Sequence, residues 1–282
     1  MPGLVEIEVL RRDLDKEIAG RRIKDVEVRP GTSAMKIIRR HGRRKEFEEL
    51  LVGGKVDSIE RVGKRLLFSL DSGRVIVVDL GTAGRLYKTS ASDDVEANTH
   101  IIIGFTIGGQ LRFVDQKKTG EIYVAPAEEV ANDGSLRSFT IDPIDHQFTW
   151  QYFSTLLAER DTPMKQLLMD DKFICGLGEI YSDEILFDAG IRHDRLSSRL
   201  TSQDVRRLYR SLMEIMQDAL KARGTSWGDD DFRDLHGSPG QFQLELKVYE
   251  REGESCRRCR SAVVREEIDG GVVTYFCPQC QS

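Results

Sequence analysis

The sequence predicts an α+β protein in which an N-terminal antiparallel β-sandwich or barrel precedes a helical region and a small cysteine-rich tail. Three observations lead to this prediction. The first 125 residues alternate short apolar runs with turn residues, which is typical of strands. From Trp150 to about Arg223 the apolar residues recur at helical spacing. Four of the five cysteines then lie in the last 27 residues.

The N-terminal region begins with a helix and continues with strands. The segment 5–20 has helical spacing and ends in a glycine, as helices commonly do. The strands are indicated by short runs rich in β-branched residues that are bounded by turn residues. Six segments have this pattern: IKDVEVRP, KVDSIERV, RLLFSLDSG, RVIVVDLG, THIIIGFTI and QLRFVDQ.

The second half of the chain is predicted to be helical. Residues 126–146 are polar and lack a sustained period, so they indicate a linker. The last predicted helix is amphipathic, and we expect Ser202 to cap its start and Gly224 to mark its end. The predicted helices are WQYFSTLLAE, TPMKQLLMDD, GEIYSDEILFDAG and SQDVRRLYRSLMEIMQDALKARG.

Length and composition limit what the chain can be. At roughly 150 residues per domain, 282 residues predict two domains that each bury a core. We place the β domain at 1–130, a linker at 131–149, the helical domain at 150–245 and the tail at 246–282. With 39% hydrophobic and 32% charged residues, the composition excludes a disordered chain.

Membrane insertion and secretion are not indicated by the sequence. No apolar run reaches the roughly 18 to 20 residues that a membrane helix needs. The N-terminal segment carries charges where a signal peptide would be apolar. We therefore expect a cytoplasmic protein.

The net charge of −5 favours solubility and does not indicate a polyanionic partner, so any nucleic-acid surface must be local. Two basic clusters exist, and each is also consistent with a solvated helix face or loop. They consist of Lys36, Arg39, Arg40, Arg43, Arg44 and Lys45, and of Arg257, Arg258 and Arg260.

The cysteines of the tail form two Cys-x-x-Cys pairs, Cys256 with Cys259 and Cys277 with Cys280, about 17 residues apart. This spacing fits a tetrahedral zinc site in which the intervening segment 261–276 folds back as a hairpin, with Asp-Gly-Gly at its turn. Four thiolates leave no open coordination position, so we expect one structural zinc ion. A redox pair or two disulfides is the alternative, which a cytoplasmic chain disfavours.

A segment with two glycines, Gly176 and Gly178, joins two predicted helices. Glycines before a helix leave amide N–H groups free to bind phosphate, although a plain helical hairpin would have the same pattern. Cys175 stands alone in this apolar turn, and we interpret it as a core residue rather than a nucleophile.

Seven segments in this order resemble the formamidopyrimidine-DNA glycosylase and endonuclease VIII family. The resemblance spans nearly the whole chain, and the combination of its last three segments is very specific. The segments are MPGLVEIEVLRRDL, GKRLL, DLGTAGR, LRFVD, LLMDDKFICGLGEIYSDEILFDAGI, GSPGQFQLELKVY and the CRRC with TYFCPQCQ.

The resemblance implies a β-sandwich, a helix, two turns, helix domain and a zinc finger that bind damaged duplex DNA and flip the damaged nucleotide out of the helix. It implies that Met1 is removed and that the secondary amine of Pro2 attacks the sugar C1′. The iminium that results permits β-elimination of the 3′ phosphate. Lys64 matches the lysine of the family near this site, and Glu6 matches its second acidic residue.

The chain departs from the family pattern at residues that read the lesion. Gly3 stands where the family has a carboxylate that shuttles protons, so base excision should suffer most. Thr82 and Thr119 stand where the family has the Met and Phe that fill the gap in the DNA. Glu179 replaces an Asn that meets a phosphate, and Val272 replaces the Arg of the zinc hairpin.

Two functions are therefore expected from the sequence. The first is a DNA glycosylase or abasic-site lyase that acts as a monomer through Pro2, Glu6 and Lys64. The second is a DNA-binding protein of the same fold that has lost catalysis. In both, the expected DNA contacts are Lys117, Lys118, Lys165, Gly176, Gly178 and Arg258.

Overall fold

The computed structural model describes residues 2–30, 34–145, 148–228, 232–268 and 270–282. The chain forms two compact units. Unit 1 comprises residues 1–137 and 223–240, and unit 2 comprises residues 138–222 and 241–282. Packing thus groups the chain differently from the predicted domain bounds, because the segment after the last long helix returns to unit 1.

Unit 1 contains helix α1 (Leu4–Ile18) and two four-stranded antiparallel sheets, which confirms the predicted β-sandwich. The sheet orders are β1-β6-β7-β5 and β2-β3-β4-β8. The strands are β1 (Ile23–Val28), β2 (Val56–Val62), β3 (Arg65–Leu70), β4 (Arg74–Asp79), β5 (Arg85–Thr89), β6 (Thr99–Phe105), β7 (Gln110–Val114) and β8 (Glu121–Pro126).

The six predicted strands are present, and two further strands were missed. β5 has only one buried side chain, Leu86, and β8 ends at Pro126, so neither has a clear strand pattern. The core lies where buried side chains of the two sheets face each other. It includes Phe68, Ile76, Val78, Leu86, Ile101, Ile103, Leu111, Phe113 and Ile122.

Three short helices complete unit 1: α2 (Ala34–Ile37), α3 (Arg44–Leu51) and α4 (Ala127–Asn132). α3 buries Phe47 and Leu51, and the first basic cluster lies around α2 and the start of α3. Two of its arginines pair with a carboxylate: Arg39 lies 2.7 Å and Arg40 lies 3.5 Å from Glu121. This favours the solvated-face interpretation of that cluster.

Unit 2 contains the four predicted helices: α5 (Trp150–Ala158), α6 (Met164–Met169), α7 (Gly178–Ala189) and α8 (Ser202–Lys221). The cap of α8 is Thr201, whose hydroxyl accepts the N–H of Asp204, whereas Ser202 was expected. Thr201 and Asp204 form a reciprocal capping box, which fixes the helix start one residue earlier. Helix α8 is amphipathic as predicted, with one buried and largely apolar face.

The predicted C-terminal hairpin is formed by β9 (Val264–Ile268) and β10 (Val272–Phe276), which pair antiparallel. Asp269 at its turn lies outside the described residues. The hairpin packs on α7 through buried apolar residues, and the segment that leads to it is held by Glu184. That fully buried carboxylate accepts the N–H groups of Lys247, Val248 and Tyr249 at 2.9 to 3.0 Å.

Candidate functional site

Pro2 is half-buried and lies two residues before Leu4, which is the first residue of α1 and is fully buried. The N-terminus of a helix carries a partial positive charge. An amine placed there is disfavoured as an ammonium ion, and the neutral amine is the nucleophilic form. This position is compatible with the nucleophilic role expected of Pro2 once its nitrogen is a free amine. Met1 lies outside the described residues.

Glu6, in the first turn of α1, holds the N-terminal segment in place. Its side chain is buried, with one oxygen accepting the N–H of Gly3 at 2.8 Å and the other accepting the N–H of Thr225 at 2.9 Å. One carboxylate thus connects the residue next to Pro2 with the segment that returns to unit 1. The sequence did not indicate Thr225, because this contact spans 219 residues.

Lys64 lies in the two-residue turn between β2 and β3 and is half-buried. Gly63, the first residue of that turn, has φ 56°. A glycine in this position is typical of a type II′ hairpin turn, which only glycine adopts readily. The Gly-Lys pair singled out in the sequence is therefore a tight turn that presents a lysine at the edge of the sheet.

Thr82 and Thr119, on two neighbouring turns, bind each other. Their hydroxyl oxygens are 2.9 Å apart, and the N–H of Thr82 also donates to the Thr119 hydroxyl at 2.9 Å. Thr82 is half-buried and Thr119 is exposed. Two of the positions that depart from the family pattern thus form one small polar contact.

Lys117 and Lys118 lie exposed on the turn that carries Thr119. The turn is built by Asp115, whose fully buried carboxylate accepts the N–H of Lys117 at 3.0 Å and of Gly120 at 2.8 Å. Lys118 has φ 58°, a left-handed conformation that few residues other than glycine adopt. The exposure of both lysines is compatible with their predicted role at a DNA backbone.

Gly176 and Gly178 both have positive φ, 65° and 66°, in the turn before α7. The N–H of Gly176 donates to Asp171 at 2.9 Å, whereas Gly178 is exposed at the helix start. Glu179 is also exposed there. The structure therefore places a carboxylate beside the helix N-terminus that was predicted to bind phosphate.

The prediction that Lys165 contacts DNA disagrees with the structure. Its side chain is 0% exposed, and its Nζ donates to Asp183 at 2.7 Å and to the carbonyl of Glu179 at 2.9 Å. A buried ammonium needs such partners, because an unpaired charge in the interior is costly. Lys165 is a framework residue that joins α6 to α7.

Arg258 is also tied to the framework, although its side chain is 42% exposed. Its guanidinium donates to the carbonyl of Phe187 at 2.8 Å and to the carboxylate of Asp188 at 2.9 Å, and it lies 4.4 Å from the centroid of the Phe187 ring. These contacts hold the first Cys-x-x-Cys turn against α7. Contact with DNA stays a prediction for this residue.

The four tail cysteines come together, with all four sulfur atoms within 4.8 Å of one another. Cys259 and Cys277 have sulfurs 3.4 Å apart, and Cys256 and Cys280 have sulfurs 3.9 Å apart. A tetrahedral site with Zn–S bonds of about 2.3 Å needs sulfurs about 3.8 Å apart, so the residues fit such an ion. This cluster can bind a metal. Cys175 is separate from it and buried, as expected of a core residue.

The comparisons with known proteins agree with this arrangement. Residues 1–122 match the formamidopyrimidine-DNA glycosylase N-terminal domain, and residues 139–230 match the formamidopyrimidine-DNA glycosylase H2TH domain. The formamidopyrimidine-DNA glycosylase of Pelotomaculum thermopropionicum is 35% identical over 281 residues, which cover 100% of this chain and 99% of the relative.

The chain belongs to the formamidopyrimidine-DNA glycosylase family.

Two solved structures of this family are similar throughout. The Lactococcus lactis Fpg in complex with DNA containing an abasic site has a TM-score of 0.86 and 27% identity, with 100% of both chains covered. The MutM (Fpg) protein from Thermus thermophilus has a TM-score of 0.83 and 31% identity, covering 99% of this chain and 98% of that one.

These findings confirm the family, the fold class and the enzyme class that the sequence predicted, a DNA glycosylase. Within the described part of the chain, no helix has the length and apolar character needed to cross a membrane.

Proposed function

We propose that this protein repairs damaged duplex DNA as a glycosylase and abasic-site lyase whose nucleophile is the secondary amine of Pro2, exposed after removal of Met1. The observation that carries this proposal is the position of Pro2 at the start of α1, where Glu6 holds the adjacent Gly3 N–H at 2.8 Å. The positive end of the helix favours the neutral, nucleophilic amine.

The chemistry follows from that amine. The nitrogen of Pro2 attacks the sugar C1′, and the base leaves with the bonding electrons and takes up a proton. The amine gives up its proton, the C1′–O4′ bond breaks, the ring oxygen O4′ takes up a proton, and the nitrogen lone pair forms an iminium with C1′. The iminium acidifies the C2′ proton, and its removal expels the 3′ phosphate with the C3′–O electrons.

The residue that follows Pro2 decides which of these steps is favoured. Gly3 supplies no acid or base, so delivery of a proton to a departing base is impaired. A pre-formed abasic aldehyde has no base to expel. Cleavage of abasic DNA should therefore exceed excision of oxidised bases.

Borohydride trapping on duplex DNA with one abasic site tests the nucleophile. We expect a stable covalent adduct, because borohydride reduces only an iminium to an amine that cannot hydrolyse. Two controls should diminish trapping. Protein that retains Met1, verified by mass spectrometry, has an amide as its Pro2 nitrogen and cannot form the iminium there, and Pro2→Gly keeps only a primary amine and should trap more slowly. Undiminished trapping in both controls would move the reaction to another amine, with Lys64 the first candidate.

The second candidate function is a DNA-binding protein of this fold without catalysis. The Thr82–Thr119 contact and Gly3 favour it, because both affect positions that the family uses to open or process the lesion. Specific binding to abasic duplex with no trapped adduct and no strand cleavage would establish it.

We propose that one structural Zn²⁺ is held by Cys256, Cys259, Cys277 and Cys280. The support is the donor set of four thiolates and its sulfur spacing. The ion would hold the hairpin β9–β10 and supply no chemistry to the reaction. Metal analysis of purified protein should find one zinc per chain, and substoichiometric zinc in cleanly folded protein would contradict the proposal.

The proposed DNA contacts are Lys117, Lys118, the backbone at Gly176 and Gly178, and the exposed part of Arg258. Exposure supports this for Lys117, Lys118, Gly178 and Arg258, whereas Gly176 is buried and donates its N–H to Asp171. The slope of the logarithm of the affinity against the logarithm of the salt concentration measures how many phosphates are contacted. A monomeric state and a cytoplasmic location belong to the same proposal. Light scattering and cell fractionation test them.

A further inference from the structure

We propose that the buried ion pair between Glu8 and Arg61 positions Lys64 for the reaction. Glu8 lies on α1, two residues after Glu6, and Arg61 lies on β2. The Nε of Arg61 lies 3.2 Å from a carboxylate oxygen of Glu8, and both side chains are 7% exposed. The inference rests on the proposed function and on the part in catalysis, together with Pro2 and Glu6, that the family resemblance implies for Lys64.

The same arginine reaches the turn that carries Lys64. Its NH1 group donates to the carbonyl oxygen of Gly63 at 2.8 Å. That oxygen belongs to the peptide unit that joins Gly63 to Lys64, so fixing it fixes the plane from which the Lys64 side chain departs. Arg61 therefore connects helix α1 to the turn through two hydrogen bonds of one rigid, planar group.

The carboxylate of Glu8 is well suited to hold this arginine. Burial alone would raise the pKa of Glu8, but hydrogen bonds from Arg11 and Arg12 and the charges of Arg11 and Arg61 keep that pKa below its usual value. Arg11 and Arg12 lie on α1 itself and do not bridge to another element in these contacts. Arg61 is the member of this cluster that bonds to the turn.

One helix would in this way set the positions of two reacting groups. The start of α1 presents Pro2, and the Glu8–Arg61 pair sets the turn of Lys64 relative to the same helix. Errors of about 1 Å in such geometry can lower a rate a hundredfold. Arg61 is thus a positioning residue that acts through Lys64 and does not need to touch DNA.

A double-mutant cycle on the full-length protein tests this. The variants are Arg61→Met, Lys64→Met and the pair together. The measurements are the single-turnover rate of strand cleavage at saturating abasic duplex, the dissociation constant for the same duplex, and the melting temperature. Arg12→Ala is the matched control, since it removes a 54% exposed partner from the same carboxylate.

We expect Lys64→Met to lower the rate about a hundredfold. Arg61→Met should lower it about tenfold or more, with less than a threefold change in the dissociation constant. In the Lys64→Met background, Arg61→Met should cause no further loss, because its effect passes through the lysine. Arg12→Ala should keep the wild-type rate.

The outcomes separate the two proposals. If Lys64→Met retains the wild-type rate, the role of Lys64 in the proposed function fails. If Lys64→Met is slow but the effects of the two substitutions multiply independently, only the positioning role of Arg61 is overturned.

Arg61→Lys separates geometry from charge, and it replaces Arg61→Met in the cycle if the latter does not fold. A lysine keeps the positive charge but cannot bridge Glu8 and the Gly63 carbonyl with a planar fork, so the rate should stay low. A full wild-type rate in Arg61→Lys would overturn the positioning role.

Discussion

The residues that were expected to act on DNA are placed differently in the two units. In unit 2, Lys165 and Asp183 are fully buried and bond to each other, and Arg258 is bonded to α7. In unit 1, Pro2 lies at a helix start and Lys64 on a tight turn, both half-buried. The comparison teaches that a basic residue expected to contact DNA can belong to the framework instead, and that the residues proposed to react lie where a chain end and a turn leave them accessible.

This contrast makes unit 2 sensitive to single substitutions of polar residues. Asp183 accepts from Lys165, from the hydroxyl of Thr274 at 2.6 Å and from the N–H of Tyr275 at 2.9 Å. Burial raises the pKa of Asp183, and the ammonium of Lys165 opposes that rise. A single carboxylate thus joins α6, α7 and the strand β10 of the hairpin.

The largest effect should come from Cys277→Ser, which removes one thiolate from the metal site. We expect loss of bound zinc and loosening of β9–β10, with DNA affinity reduced at least tenfold. Unit 1 should keep its structure, because none of the four cysteines belongs to it. Zinc analysis measures the bound metal, and hydrogen exchange measures the protection of the hairpin and of unit 1. Retained zinc with a protected hairpin would contradict the tetrathiolate site.

Asp183→Ala should follow, with a loss of about 3 to 5 kcal/mol in the free energy of unfolding. The substitution leaves the buried ammonium of Lys165 without its carboxylate. Asp218→Ala is the control, because its pair with Lys221 is exposed and should contribute at most about 0.5 kcal/mol. Urea unfolding measures both, and equal losses would mean that burial does not distinguish the two pairs.

Gly3→Glu tests whether the missing carboxylate next to Pro2, in unit 1, limits base excision. Gly3 has φ −84° and ψ −173°, an extended conformation that any residue adopts, so the backbone accepts the change. We expect excision of at least one oxidised base to rise about tenfold, since a carboxylate there can supply or accept a proton. Gly3→Gln should not reproduce the gain, and equal rates in both variants would exclude proton transfer as the cause.

Glu179→Asn should have the smallest effect, a gain of about 1 kcal/mol in DNA binding free energy that is independent of sequence. The exposed carboxylate at the start of α7 repels phosphate, and an amide does not. Fluorescence anisotropy at several salt concentrations measures the change. An unchanged or weaker affinity would mean that this helix start does not meet a phosphate.

Local patterns account for what the sequence predicted well. Apolar periodicity, turn residues or cysteine spacing within a short segment predicted each of these elements: six strands, the helices α5 to α8 and the cysteine hairpin. The burial of Lys165 depends on Asp183, 18 residues away, and its charge alone gave no indication of it. The Glu8–Arg61 pair is separated by 53 residues. Such contacts depend on tertiary packing, which neither periodicity nor motif spacing records.

The division of the chain into units also has a consequence during synthesis. Unit 1 is interrupted after residue 137 and resumes at residue 223, ending at residue 240, so about 100 residues emerge before it can be completed. At roughly 5 to 20 residues per second, the ribosome needs about 5 to 20 seconds for that stretch. During this interval one oxygen of the Glu6 carboxylate lacks the N–H of Thr225 that it accepts in the finished protein. The contact that joins the first turn of α1 to the returning segment can therefore form only late in synthesis.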